Sequence, residues 1–198
     1  ATAEVIKSCI PDITDPWQLV GFDIDYILVA IRIATYTDDL PVKTTCPSCN
    51  NDNESILSLT TLIENFNNYK IENNFQIDDL TFNLQPLTYK QMSDIALENY
   101  TLERQIIQIA KNKDFTDNQR DQETQKIYTK MNELNLRTAV LYIKSIDNST
   151  NTETDVKLIR DFISTNDTRF YKELKDNIFN LSNQWKIPDL EVLCGDEG

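Results

Sequence analysis

Apolar residues recur with a helical period at the start of the chain, lose it in the middle, and regain it for the second half. From Thr2 to Ile10, Val5, Ile6 and Cys9 fall on one side, predicting a short helix ended by Pro11. Pro11 to Gly21 carries two prolines and Trp17 and reads as an ordered connection. Asp23 can cap the next helix, Ile24 to about Thr35. That helix is apolar nearly all round, with Ile24, Ile27, Leu28 and Ile31 on one side and Tyr26, Val29, Ala30 and Ile33 on the other. A helix without a polar face is expected to be core, buried on several sides.

Between Asp38 and Leu59 two short extended runs, Val42 to Cys46 and Glu54 to Leu59, flank Cys46-Pro47-Ser48-Cys49-Asn50. The pattern predicts a hairpin with cysteines at its tip. Further extended runs follow at Tyr69 to Ile77 and Leu80 to Leu87. From Thr88 onward Met92, Ile95, Ala96, Leu102, Ile106, Ile109 and Ala110 keep a helical period. The loop Asn112 to Asn118 leads into a second long helix, Gln119 to Ile146, striped by Ile127, Met131, Leu134 and Leu141. Two long helices on so short a loop should pack as an antiparallel hairpin. Asp147 to Thr154 reads as a polar linker. Two shorter helices follow, one marked by Val156, Ile159, Phe162 and Ile163, the other by Tyr171, Leu174, Ile178 and Leu181. Pro188 ends the helical half, and Leu190, Val192 and Cys194 alternate as a final strand.

Composition narrows the chemistry. The 198 residues (23.0 kDa) are 40% apolar and 26% charged, an ordinary balance for a folded chain. Nineteen Lys and Arg against 32 Asp and Glu give a net charge of −13, which disfavours a nucleic-acid partner. The absence of histidine excludes Ser-His-Asp and Cys-His nucleophiles, His metal ligands and His proton shuttles. With glycine only at Gly21, Gly195 and Gly198, no glycine-rich phosphate loop or dinucleotide fingerprint can be built. The longest apolar stretch, Tyr26 to Ala34, is too short to span a bilayer and carries Arg32, so no membrane role is expected.

Cys46-Pro47-Ser48-Cys49 is the one specific motif. Two thiolates on a tight turn can face one tetrahedral ion while backbone N–H groups stabilise the sulfur charge. Such a knuckle needs a left-handed residue after the second cysteine, and Asn50 tolerates that conformation best after glycine. A redox pair would open a helix after a strand, and Asn50-Asn51-Asp52-Asn53 is a poor helix start. Two unrelated surface thiols are the plainer alternative. Cys194-Gly195, after the final strand, reads as the second knuckle of a zinc ribbon. Cys46, Cys49 and Cys194 are therefore the expected ligands of a structural Zn²⁺. The fourth is expected just beyond Gly198, because both ends read as cut from a longer polypeptide. Cys9 is the alternative ligand, but its place in an apolar helix pattern favours a small buried hydrophobe. The carboxylate pairs Asp23 and Asp25, Asp38 and Asp39, and Asp78 and Asp79 read as helix caps and solvated turns rather than an acid–base site.

Several of these pieces, in this order, carry a family likeness. The helix Ala3-Glu4-Val5-Ile6-Lys7-Ser8-Cys9-Ile10, the apolar helix from Phe22 to Tyr36, Leu40-Pro41-Val42, the Cys46-Pro47-Ser48-Cys49 turn and Leu57-Ser58-Leu59-Thr60-Thr61-Leu62 together resemble the baseplate hub proteins of T-even-like contractile-tailed bacteriophages. The match is closest from Ala1 to about Leu62; the helical middle and the terminal strand fit in order more than in detail. The resemblance implies a region preceding Ala1 and a second cysteine knuckle around Cys194. It implies an architectural role, with other phage baseplate or hub proteins as partners and no catalytic residues.

The expected fold class is α+β, with zinc-ribbon-like β hairpins plus a helical bundle containing a long antiparallel helix pair. Residues 1–37 form an N-terminal helical segment, 38–87 with 187–198 the β-rich portion, and 88–186 the helical portion. The expected function is that of a hub subunit of a phage tail baseplate, assembled in the host cytoplasm and carried in the virion, binding no small-molecule substrate. An assembly chaperone absent from the virion and a Cys-based metal or redox enzyme are the alternatives.

Overall fold

The computed structural model describes residues 2–67 and 72–186. Over these residues the chain is α+β, with seven α-helices and two antiparallel sheets. It divides into two compact units, Ala1–Ile71 with Gln184–Gly198, and Glu72–Asn183.

In the first unit, helix α1 spans Thr2–Cys9 and buries Ala3 and Ile6. Val5 is 45% exposed and Cys9 is exposed, so the expected Val5–Ile6–Cys9 face is displaced by one step round the helix. Cys9 is therefore not the buried hydrophobe its pattern suggested. Within the connection that follows, the Asp15 carboxylate accepts the Trp17 N–H (3.1 Å) and starts a single 3-10 turn, Pro16–Gln18.

Helix α2 spans Gly21–Thr35 and is preceded by Val20, whose side chain cannot cap it. Asp23 is not the cap; it sits in the first turn, where a negative charge suits the helix N-terminus. The expected burial on several sides is not found. Gly21 and Ile24 are buried, whereas Ile27, Leu28, Val29, Ile31 and Ile33 are only half-buried. A unit this small has too little chain to surround a helix.

Strands β1 (Asp39–Thr45) and β2 (Asp52–Ser58) form the expected antiparallel hairpin, in register from Asp39↔Ser58 to Thr45↔Asp52. Helix α3, Leu59–Asn67, follows β2 directly and buries Leu59 and Leu62. Its start is capped from 22 positions back: Asp38 accepts the Thr60 N–H at 2.6 Å and the Ser58 hydroxyl at 2.7 Å. No local pattern announces a cap at that distance.

The second unit opens with β3 (Asn74–Ile77) and β4 (Leu80–Leu84), joined at Asp78, whose φ of 53° makes the tight turn. These strands do not join the cysteine hairpin. They belong to a separate four-stranded sheet, in order β3-β4-β5-β6, with β5 at Ile143–Asp147 and β6 at Thr152–Glu153. The β-rich portion expected from contiguous extended runs is thus two sheets.

Helices α4 (Tyr89–Lys111) and α5 (Asp117–Tyr142) each begin with a capping box, Thr88 with Gln91 and Thr116 with Gln119. They pair antiparallel as expected, with Leu102, Ile127 and Leu134 buried between them against Ile95, Ile106, Ile109 and Met131. Arg137 of α5 forms an ion pair with Glu98, near the middle of α4. The second helix stops short of the expected Ile146. Gln85 takes the Tyr142 carbonyl with its N–H (2.7 Å) and the Leu141 carbonyl with its amide (3.2 Å). The chain then leaves as β5, and Phe82 of β4 pairs with Ile146. The expected polar linker is the turn of a β5–β6 hairpin, tied by the Asn148 side chain to the N–H groups of Thr150 and Asn151.

Helices α6 (Val156–Thr165) and α7 (Thr168–Asn183) complete the unit, with Ile159, Ile163, Leu174, Ile178 and Leu181 in its core. Fully buried Phe82 stacks on Phe75 (5.2 Å) and touches Phe170 of α7 (6.1 Å). Phe170 in turn meets Phe162 of α6 edge-on at 5.6 Å.

Candidate functional site

The expected cysteine turn joins β1 and β2. Past Thr45 the strands part. The Cys46 N–H donates to the Asn51 carbonyl at 2.9 Å, and the Asn50 N–H donates to the Cys46 carbonyl at 2.9 Å. Asn50 has φ 58°, the left-handed conformation expected after the second cysteine. Below the turn, Thr45 donates to the Asp52 carboxylate at 2.9 Å, and Lys43 pairs with Glu54 across the strands. Cys46 is half-buried and Cys49 exposed.

Cys194 and the expected strand from Leu190 to Cys194 lie outside the described residues. Among the described residues no group of three or more His, Cys, Asp or Glu could hold a metal ion. Cys46 and Cys49 by themselves supply two thiol donors on this turn.

The carboxylate pairs separate by environment. Hydrogen bonds from Thr60 and Ser58 hold the Asp38 carboxyl below the usual carboxylate range. Burial alone raises Asp23 and Asp25, and burial with the neighbouring Asp25 charge pushes the Tyr26 hydroxyl up to about 12. Asp38 thus acts as a helix cap, and Asp78 forms a turn.

A second feature was not read from the sequence. In the second unit a pocket of about 320 Å³ opens between the β5–β6 hairpin and α6. Leu80, Ile146, Leu158, Ile159 and Phe162 form its apolar walls, and Glu153 is at its rim. Asn148 and Asn151 of the hairpin turn complete the lining. Reading Ile143 to Ile146 as helix and the following turn as linker hid it. The available signal was β-branched Ile143 and Ile146 ahead of the turn-forming run Asp147-Asn148-Ser149-Thr150-Asn151.

Comparison with known proteins gives one result. The family model described as T4 bacteriophage base plate protein matches residues 1–179. The chain belongs to this family. No curated protein and no solved structure matches it. As a baseplate-family protein, the chain is a structural part of a phage tail, where its neighbours are other tail proteins. The match runs through the cysteine hairpin and the pocket alike. No helix among the described residues is long and apolar enough to cross a membrane.

Proposed function

We propose that the chain is a hub subunit of the baseplate that docks other baseplate proteins during tail assembly and stays in the mature virion. The observation that carries this reading is the family match over residues 1–179, which takes in both units rather than one module. Apolar side chains left at the surface support it: Ile56 is 73% exposed, Leu97 66%, and Leu158 54%. A subunit enclosed by neighbours has use for such side chains. In this reading Cys46, Cys49 and Cys194 hold a structural Zn²⁺ that ties the hairpin to the C-terminal segment. The left-handed Asn50 after Cys49 supports it, because a metal-binding cysteine turn needs that conformation after its second cysteine.

Mass spectrometry of purified, salt-washed tails tests the reading. The chain should be found at fixed stoichiometry, and a phage lacking it should accumulate incomplete baseplates while heads still form. Incomplete baseplates in its absence, with none of the chain in finished tails, would replace a hub subunit by an assembly chaperone.

A further inference from the structure

We propose that the pocket between the β5–β6 hairpin and α6 is a docking site for an apolar side chain carried on a lysine- or arginine-bearing segment of another protein subunit. The inference rests on the structural reading above only for the kind of partner. The walls are apolar, and one of them is set in advance: Phe162 is 36% exposed yet held edge-on by Phe170, which packs on buried Phe82. An aromatic side chain already fixed before binding loses little freedom when covered.

The polar groups around the pocket are spent on shaping it. The Glu153 carboxylate accepts the N–H groups of Thr154 (2.9 Å) and Asp155 (2.8 Å). The Asn148 side-chain oxygen accepts from Thr150 and Asn151. What the pocket offers a ligand is therefore apolar surface and negative charge, which suits a protein side chain better than a polar small molecule.

The charge that lines the pocket is negative. At 100° per residue, Arg160 projects away from the Leu158–Phe162 side of α6, and Asp161 lies towards the edge of that side with Lys157 one step further round. Arg160 is further occupied by Glu133 of α5 at 3.2 Å. Glu153 lines the pocket and Asp155, whose N–H it accepts, adjoins it, so a basic flank on the incoming segment is their complement.

The test titrates the full chain with three capped hexapeptides, Lys-Lys-Leu-Phe-Lys-Lys, Lys-Lys-Ala-Ala-Lys-Lys and Glu-Glu-Leu-Phe-Glu-Glu, followed by backbone amide NMR. The first should shift resonances of Leu80, Leu158 and Phe162, and bind about 10-fold or more tighter than the second, as burial of a large apolar side chain requires. Its affinity should fall with added salt, and the acidic peptide should bind least. Leu158→Asp should abolish the shifts, and Asp161→Lys, at an exposed helix position, should weaken binding several-fold at low salt. Equal binding of the alanine or acidic peptide, shifts centred elsewhere, or no shifts at millimolar peptide would overturn the proposal. The hub reading would survive that failure, since it is decided by the content of purified tails.

Discussion

Asn50 and Asp38 hold the two ends of the cysteine hairpin by different means. At the tip, Asn50 adopts φ 58°, where a β-branched side chain is costly. Asn50→Val should destabilise the turn by about 1–2 kcal/mol and Asn50→Gly should be neutral or better. Hydrogen exchange at the Cys46 and Asn50 amides would read both effects. At the base, the Asp38 carboxylate binds Thr60 and Ser58 and has its pKa lowered. Its contribution is complete above the unfolded value of 3.8 and is lost as pH falls through the lower folded value. Asp38→Asn should lower the melting temperature near neutral pH, and its difference from wild type should shrink below about pH 4. A difference unchanged down to pH 2 would mean that the capping charge contributes nothing.

Among the elements, the α4–α5 pair is the most self-sufficient, with its own caps and its own apolar seam. Leu134 is 2% exposed in that seam, so Leu134→Ala should cost about 2–5 kcal/mol. Tyr128, 47% exposed on the same helix, should tolerate Tyr128→Ala within about 0.5 kcal/mol. Denaturant midpoints of the two variants decide the matter. The β1–β2 hairpin has no comparable seam; Val42 and Ser55 face each other half-buried, and Ile56 is exposed. If the proposed zinc is bound, elemental analysis should find about one per chain, and chelation or Cys46→Ser should speed amide exchange in β1 and β2 but spare α4 and α5. Metal-free protein with readily alkylated thiols would remove zinc from the account.

For the whole molecule, the net charge of −13 acts at long range and the apolar surface at contact. Association with a basic tail protein should slow markedly between about 0.05 and 0.5 M salt, as the screening length shrinks from above 10 Å towards 3 Å. Dissociation should change little, because contact is apolar once made. Stopped-flow and off-rate measurements on a reconstituted pair separate the two. A dissociation rate that rises as steeply as association falls would mean that charge holds the complex together.

The sequence by itself determined what is local. The helix start at Thr88, the stripe from Ile127 to Leu134, the cysteine hairpin and the left-handed Asn50 follow from near neighbours and backbone sterics. The family resemblance was also legible there, in the order of the pieces through Leu62. Tertiary structure decided the rest. Whether Ile143 to Ile146 continues a helix or joins a sheet depends on Gln85 and Phe82, some 56 to 64 positions away, because a short apolar run satisfies either period. Which extended runs share a sheet depends on pairing between distant strands. The half-burial of α2 and the exposure of Cys9 depend on how much chain packs against each, which no helical wheel contains. The pocket beside Phe162 exists only because a hairpin, a helix and an aromatic chain from Phe82 through Phe170 meet there.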